Sequence, residues 1–101
     1  PQDMKNYAGQ RFTANLIKEK EGIGGIMAFY DNRLEFEAFF EDQLPQKLVI
    51  PYGEIEKVAA VMTCGLIPNG LNLWMEDGEL LRFAIWHRKK IAAFLREKAG
   101  I

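Results

Sequence analysis

The sequence predicts a mainly β domain: a small, strongly bent antiparallel sheet or barrel of seven strands, one end covered by a C-terminal helix. Three observations predict it. Apolar and polar residues alternate over short runs, most clearly where Leu34, Phe36, Ala38 and Phe40 interleave with Glu35 and Glu37. Successive strand side chains point to opposite faces, so this pattern marks a half-buried strand. Turn-forming residues punctuate the chain at Asp31-Asn32, Pro68-Asn69-Gly70 and Asp77-Gly78. After Trp86 the apolar period changes from two to that of a helix.

The elements follow in order. Phe12, Ala14 and Leu16 alternate with Thr13, Asn15 and Ile17, which gives a first strand over 11–19. Lys20-Glu21-Gly22 breaks it, and the apolar run 25–30 forms the second. Asp31-Asn32 tolerates the positive φ of a tight hairpin and leads into the third strand, 33–40. A polar loop with Pro45 separates this from a short fourth strand, 47–50, which Pro51 stops. A turn over 51–55 opens the fifth strand, 56–63. Pro68-Asn69-Gly70 reads as the next turn, because Pro fixes one φ and Gly frees another. Strands 71–76 and 79–85 bracket Asp77-Gly78, a strong two-residue hairpin signal. Ile91, Phe94, Leu95 and Lys98 fall at helical spacing among good helix formers, so 87–99 is a helix, stopped by Gly100.

The whole-chain arithmetic narrows the function classes. With 101 residues the chain holds one domain. At 49% apolar residues it has the material for a core that disordered chains lack. Thirteen Lys and Arg stand against fourteen Asp and Glu, a net charge of −1. Phosphate-directed nucleic-acid binding calls for a basic excess, and none is present. One cysteine, Cys64, gives no disulfide framework and fits a reducing, cytoplasmic setting. Residues 1–10 are polar, carry no signal-peptide core and read as an extension ahead of a domain over 11–101. A chain that opens on Pro reads as trimmed or internal to a longer one. The eighteen residues 58–75 carry no charge, a length that prompts a membrane-span reading. Gly65, Pro68, Asn69 and Gly70 interrupt them, so two buried strands joined by a turn are the better reading.

Four blocks of residues carry a family likeness. They are Ala14-Asn15-Leu16 with Gly24-Gly25; Phe29-Tyr30-Asp31-Asn32-Arg33-Leu34-Glu35-Phe36; Ile50-Pro51-Tyr52-Gly53-Glu54-Ile55; and Gly65 to Leu71 followed by Asp77-Gly78 and Arg82-Phe83. In order and spacing they resemble a GRAM domain of the pleckstrin-homology-like superfamily, over nearly the whole chain. The second block is similar to that family's T-(D/N)-x-R-L-x-F hairpin, with Tyr30 in place of Thr. The third is similar to its I-P-L-x-D-I, with Glu54 in place of Asp. The resemblance implies a pleckstrin-homology-like, seven-stranded bent antiparallel barrel capped by a C-terminal α-helix. It also implies a non-catalytic module that binds proteins or lipids, often near membranes. Arg33, just after a hairpin turn, is placed to reach a carboxylate on a neighbouring strand.

Catalytic chemistry finds little to work with. The chain has no serine, and His87 is its one histidine, which removes most metal sites and imidazole dyads. Cys64 and His87 form the remaining nucleophile–base pair on paper, but a buried strand-end cysteine and a helix-start histidine account for both. Gly22 to Gly25 precede a strand and lack a following Lys-Ser or Lys-Thr, so they form no phosphate loop. The acidic groups Glu35, Glu37 and Glu76, Asp77, Glu79 suit a solvated face and a turn rather than calcium. No cofactor is implied.

Interaction surfaces are better supported. If Leu71, Leu73 and Met75 face inward, Trp74 faces out, and Phe39 does so beside its loop. Both are candidate anchors. Trp86 is read as a structural residue of the strand-to-helix junction. Three loops, 18–25, 39–47 and 76–79, surround the end away from the helix and together carry −4. Headgroup phosphates meet repulsion there, which disfavours the usual phosphoinositide site of this superfamily. The helix carries +4, from Arg88, Lys89, Lys90, Arg96 and Lys98 against Glu97. Arg96 and Lys98 suit the negative end of the helix dipole, whereas Arg88, Lys89 and Lys90 sit at its unfavourable start and are candidate contacts. The expectation is a protein-binding module near membranes, self-association included, with Trp74, Phe39, Arg88, Lys89 and Lys90 as its surface. The alternative is a peripheral module for anionic lipid headgroups.

Overall fold

A computed structural model describes residues 6–19, 21–43 and 45–101. Lys20 and the first five residues, which enter the loop charge and the extension above, lie outside them. Seven strands and one helix form: β1 (Arg11–Lys18), β2 (Glu21–Phe29), β3 (Arg33–Ala38), β4 (Lys47–Pro51), β5 (Ile55–Thr63), β6 (Ile67–Met75), β7 (Leu80–Ala84) and α1 (Arg88–Ala99). They make one antiparallel sheet in the order β4-β3-β2-β1-β7-β6-β5. β1 joins its two halves, pairing with β2 on one side and with β7 on the other. The sheet curls into a half-barrel. Among the described residues its outer strands, β4 and β5, do not pair with each other.

The inward faces fill one core. Leu34 and Phe36 of β3, Leu71 and Leu73 of β6 and Phe83 of β7 are buried, as the alternation predicts. Each such side chain contributes about 1.5–3 kcal/mol on burial. α1 lays Ile91, Ala92, Phe94 and Leu95 over this core. Phe94 meets Tyr7 and Phe29 edge to face at 5.6 Å and Tyr52 at 5.9 Å. Residues 6–10, read above as an extension, therefore pack on the domain. The Gly9 amide donates to the Phe29 carbonyl and the Phe29 amide to the Gln10 carbonyl.

Two arginines lock α1 to the edge strand β5. Arg88 Nε donates to the Val61 carbonyl at 2.9 Å, and Arg96 donates to the Val58 carbonyl at 3.0 Å. Among the described residues β5 is an outer strand, with no strand on its other side. At the other end of α1, Gly100 takes φ 75° and the amides of Gly100 and Ile101 return to Glu97 and Arg96, a Schellman close.

Besides the start of β2, which lies at Glu21 rather than Gly25 because Glu21 and Gly22 pair with Lys18 and Ile17, three expectations need correction. β3 ends at Ala38, so Phe40 does not face inward and is 66% exposed. The paired Ala38 and Gln46 backbones, with Gln46 Nε2 on the Ala38 carbonyl, close the loop before the strand reaches Phe40. Arg33 bonds Glu35 two residues along its own strand at 2.7 Å, and Lys47 of β4 makes the cross-strand pair to the same carboxylate at 3.3 Å. Third, Pro68-Asn69-Gly70 does not turn. The turn is Thr63–Leu66, with Cys64 at φ 54° and Gly65 at φ 73° and the Leu66 amide on the Thr63 carbonyl. Positive φ at both central residues makes it type I′, the turn that matches strand twist. Pro68 sits inside β6 where the register shifts between Val61 and Thr63, a bulge at which a proline loses no ladder bond. Gly70 is required there by close approach: a β-carbon would lie 2.6 Å from Val61 Cγ2.

Candidate interaction surface

The sequence-derived contact residues fall in three separate places. Trp74 lies on the outer face of β6, between Lys57 of β5 and Leu80 of β7. It is half-buried, with the Lys57 ammonium 4.8 Å from its ring centroid, a cation–π contact that covers part of the indole. Phe39 is 55% exposed. Its ring rests against Gly24, where a β-carbon would lie 3.3 Å from Phe39 Cδ2. Arg88 is half-buried in its bond to Val61, so its guanidinium is a structural clamp. Lys89 and Lys90 are exposed, and among the described residues neither forms an ion pair.

The helix start is fixed beside the β5–β6 hairpin tip by two bonds. The Ile85 amide donates to the Asn69 carbonyl at 2.7 Å, and Arg88 holds Val61. Trp86 lies between these anchors and is 61% exposed. The tip itself exposes Met62, Ile67 and, above all, Leu66, at 80%. This cluster escaped the sequence reading. Composition places the turn four residues too late, at Pro68-Asn69-Gly70, which puts Leu66 and Ile67 inside the connection between two buried strands. The signal was present in the uncharged run 58–75. A hairpin tip faces water, and with no charged residue and only Thr63 and Asn69 as partly exposed polar ones, this tip shows it mostly Met62, Leu66 and Ile67. Contiguous exposed apolar surface marks interaction sites more often than scattered single residues do.

The opposite end gathers the three loops named from the sequence. Lys18, Glu19, Glu21, Asp42 and Gln43 line one cleft of about 350 Å³. Glu19, Pro45, Leu48, Glu79 and Leu80 line a second, of about 240 Å³. Glu19 is thus shared between acidic groups from the β1–β2 and β6–β7 turns. A third groove, of about 460 Å³, runs along the outer face between Ile17, Glu19 and Arg82 on one side and Val61 to Cys64 on the other.

Titration behaviour follows local packing. Burial pushes the Tyr52 phenol up to about 12, and its hydroxyl donates to the Tyr30 carbonyl at 2.7 Å. Burial also raises Tyr7. The hydrogen bond from Arg33 holds Glu35 below the ordinary carboxylate value, with Lys47 adding to the effect. Cys64 is exposed at the hairpin tip, and the His87 ring lies 6.3 Å from that of Phe12. No group of three or more His, Cys, Asp and Glu that would hold a metal occurs among the described residues. No described helix is long and apolar enough to cross a membrane.

No family model matches the sequence, and no curated protein matches it. Among solved structures, the C-terminal domain of an unknown protein from Leishmania infantum is similar, with a TM-score of 0.75 over 91% of this chain and 83% of that one. Identity is 12%, so the likeness speaks for the fold alone.

Proposed function

We propose that this chain is a non-catalytic interaction module of the GRAM type that binds a protein partner through the β5–β6 tip and the start of α1. The observation that carries the reading is the uncharged tip. Met62, Leu66 and Ile67 stand in solvent at the tip, Trp86 is exposed on the segment that the Ile85–Asn69 and Arg88–Val61 bonds hold to it, and Lys89 and Lys90, unpaired among the described residues, lie on the adjoining helix turn. An apolar centre with an aromatic anchor and a charged rim is the anatomy of a protein contact. Like charges at the helix start work against the helix dipole by about 0.3–1 kcal/mol, a cost that contact with an acidic partner offsets. Trp74, already covered by Lys57, drops to a supporting role.

The test is affinity capture with the wild-type chain and a Leu66→Asp variant, both checked for native circular dichroism. The expected result is a set of proteins held by the wild type, released by salt and lost with Leu66→Asp. Identical capture by both chains would remove the tip from the reading.

A second reading has one observation in its favour. A tryptophan beside an apolar tip and two lysines also suits an anionic bilayer surface, where each lysine contributes about 1 kcal/mol. Sedimentation with phosphatidylserine vesicles at low salt separates the two. Binding lost in Lys89→Glu/Lys90→Glu supports the lipid reading, and no binding at low salt ends it.

A further inference from the structure

The two ends of the half-barrel are opposite in charge and alike in apolarity. β6 starts at the hairpin tip and ends at the β6–β7 turn, and its nine residues span about 30 Å. At the tip, residues 61–69 carry no charge and the adjoining 85–96 carry no acid, while Lys89 and Lys90 are unpaired among the described residues. At the other end Glu76, Asp77 and Glu79 crowd one turn, and Glu41 and Asp42 stand in the β3–β4 loop. None of these five carboxylates is in an ion pair among the described residues. That end also exposes large apolar side chains: Phe39, Phe40 and Leu80.

We infer that the partner of the tip is the acidic loop end of a second copy of this chain. The inference rests on the interaction-module reading above and names its partner. Each end joins apolar surface to a net charge of opposite sign, +4 on the helix and −4 over the three loops with Lys18, Lys20 and Lys47 counted, so tip-to-loop contact buries apolar residues on both copies while lysines meet carboxylates. Tip-to-tip or loop-to-loop contact sets like charges against each other, which costs affinity and on-rate. Two different patches at opposite ends make a heterologous contact. Such a contact does not close as a dimer but repeats, giving open head-to-tail chains or rings. The near-zero net charge of the whole chain is then the sum of two complementary halves of one interface.

Sedimentation velocity over a concentration series tests this on the full chain. At about 50 mM salt the mean mass rises with concentration, and at about 500 mM, where the screening length falls below about 5 Å, it returns towards the monomer. Leu66→Asp blocks the tip, and Asp77→Lys/Glu79→Lys blocks the loop end. Both change exposed turn residues, so the fold is retained. Each variant alone is a monomer, and the two mixed one to one form a dimer that grows no further. A wild type that stays monomeric at low salt overturns the inference. So does a loop-end variant that still self-associates, or a mixture that stays monomeric. A monomeric wild type whose captured proteins are lost with Leu66→Asp leaves the interaction-module reading standing without this partner. Binding of both wild type and loop-end variant to anionic vesicles, with no self-association, assigns the tip to a membrane instead.

Discussion

At the helix-covered end, Tyr7, Phe29, Tyr52 and Phe94 pack ring against ring and lose nearly all contact with solvent. At the loop end, Phe39 and Phe40 lie on the 39–46 loop and are more than half exposed. The residue type is the same and the outcome differs because only one end has a lid. α1 supplies Phe94 as the central ring and two arginines that bind it to the edge of β5. The loop end has short turns, and its acidic residues repel one another. An aromatic side chain in the first setting is part of the core. In the second it is surface available to a partner.

Substitutions break this contrast in graded steps. Phe94→Ala removes the ring that three others touch, and urea unfolding should show a loss of about 3–5 kcal/mol. Arg88→Ala leaves the Val61 carbonyl without its donor. The same measurement should give about 1–2 kcal/mol, with faster amide exchange along β5. Tyr52→Phe sharpens the comparison through pH. The folded-state value of Tyr52 is raised from 10.0 to about 12, so its share of stability is present in full below pH 10 and disappears as pH rises through about 12. Thermal unfolding of wild type and variant should therefore converge across that window. A gap that stays constant would mean that Tyr52 does not titrate with folding. On the acid side, Glu35 lies below its ordinary 4.5 because Arg33 bonds it. Its contribution is present above that value and is lost as pH falls through the depressed one. Glu35→Gln should give a shallower acid limb with little change at neutral pH. Phe40→Ala, at the uncovered end, should stay within about 0.5 kcal/mol in stability.

Much of the architecture is legible in the sequence. The alternation in β3, the Asp77-Gly78 hairpin and the period change after Trp86 each report local backbone geometry, which neighbouring residues set. The misplaced turn shows where such reasoning stops. Pro68-Asn69-Gly70 is a better turn by composition than Cys64-Gly65. Yet the backbone approach at Gly70 and the bulge opposite Met62 put those residues inside β6. Tyr7 was equally hidden, because a lone aromatic in a polar run has no period to reveal that Phe94 awaits it. The candidate surface was legible only in parts. Lys89 and Lys90 could be named from their place at the helix start, but Arg88 could not be told from them, since its carbonyl partner lies 27 residues away on β5.

What the sequence determined by itself is the set of elements, most of the inward faces and the charges of the three loops and of the helix, because these depend on residue type and short-range spacing. Only the tertiary structure decided which aromatics are core and which are surface, which arginines are clamps, and that an uncharged hairpin tip lies beside the basic helix start. Those outcomes depend on contacts between residues far apart in the chain. A sheet curled by its own twist and closed on one side by a helix brings them together.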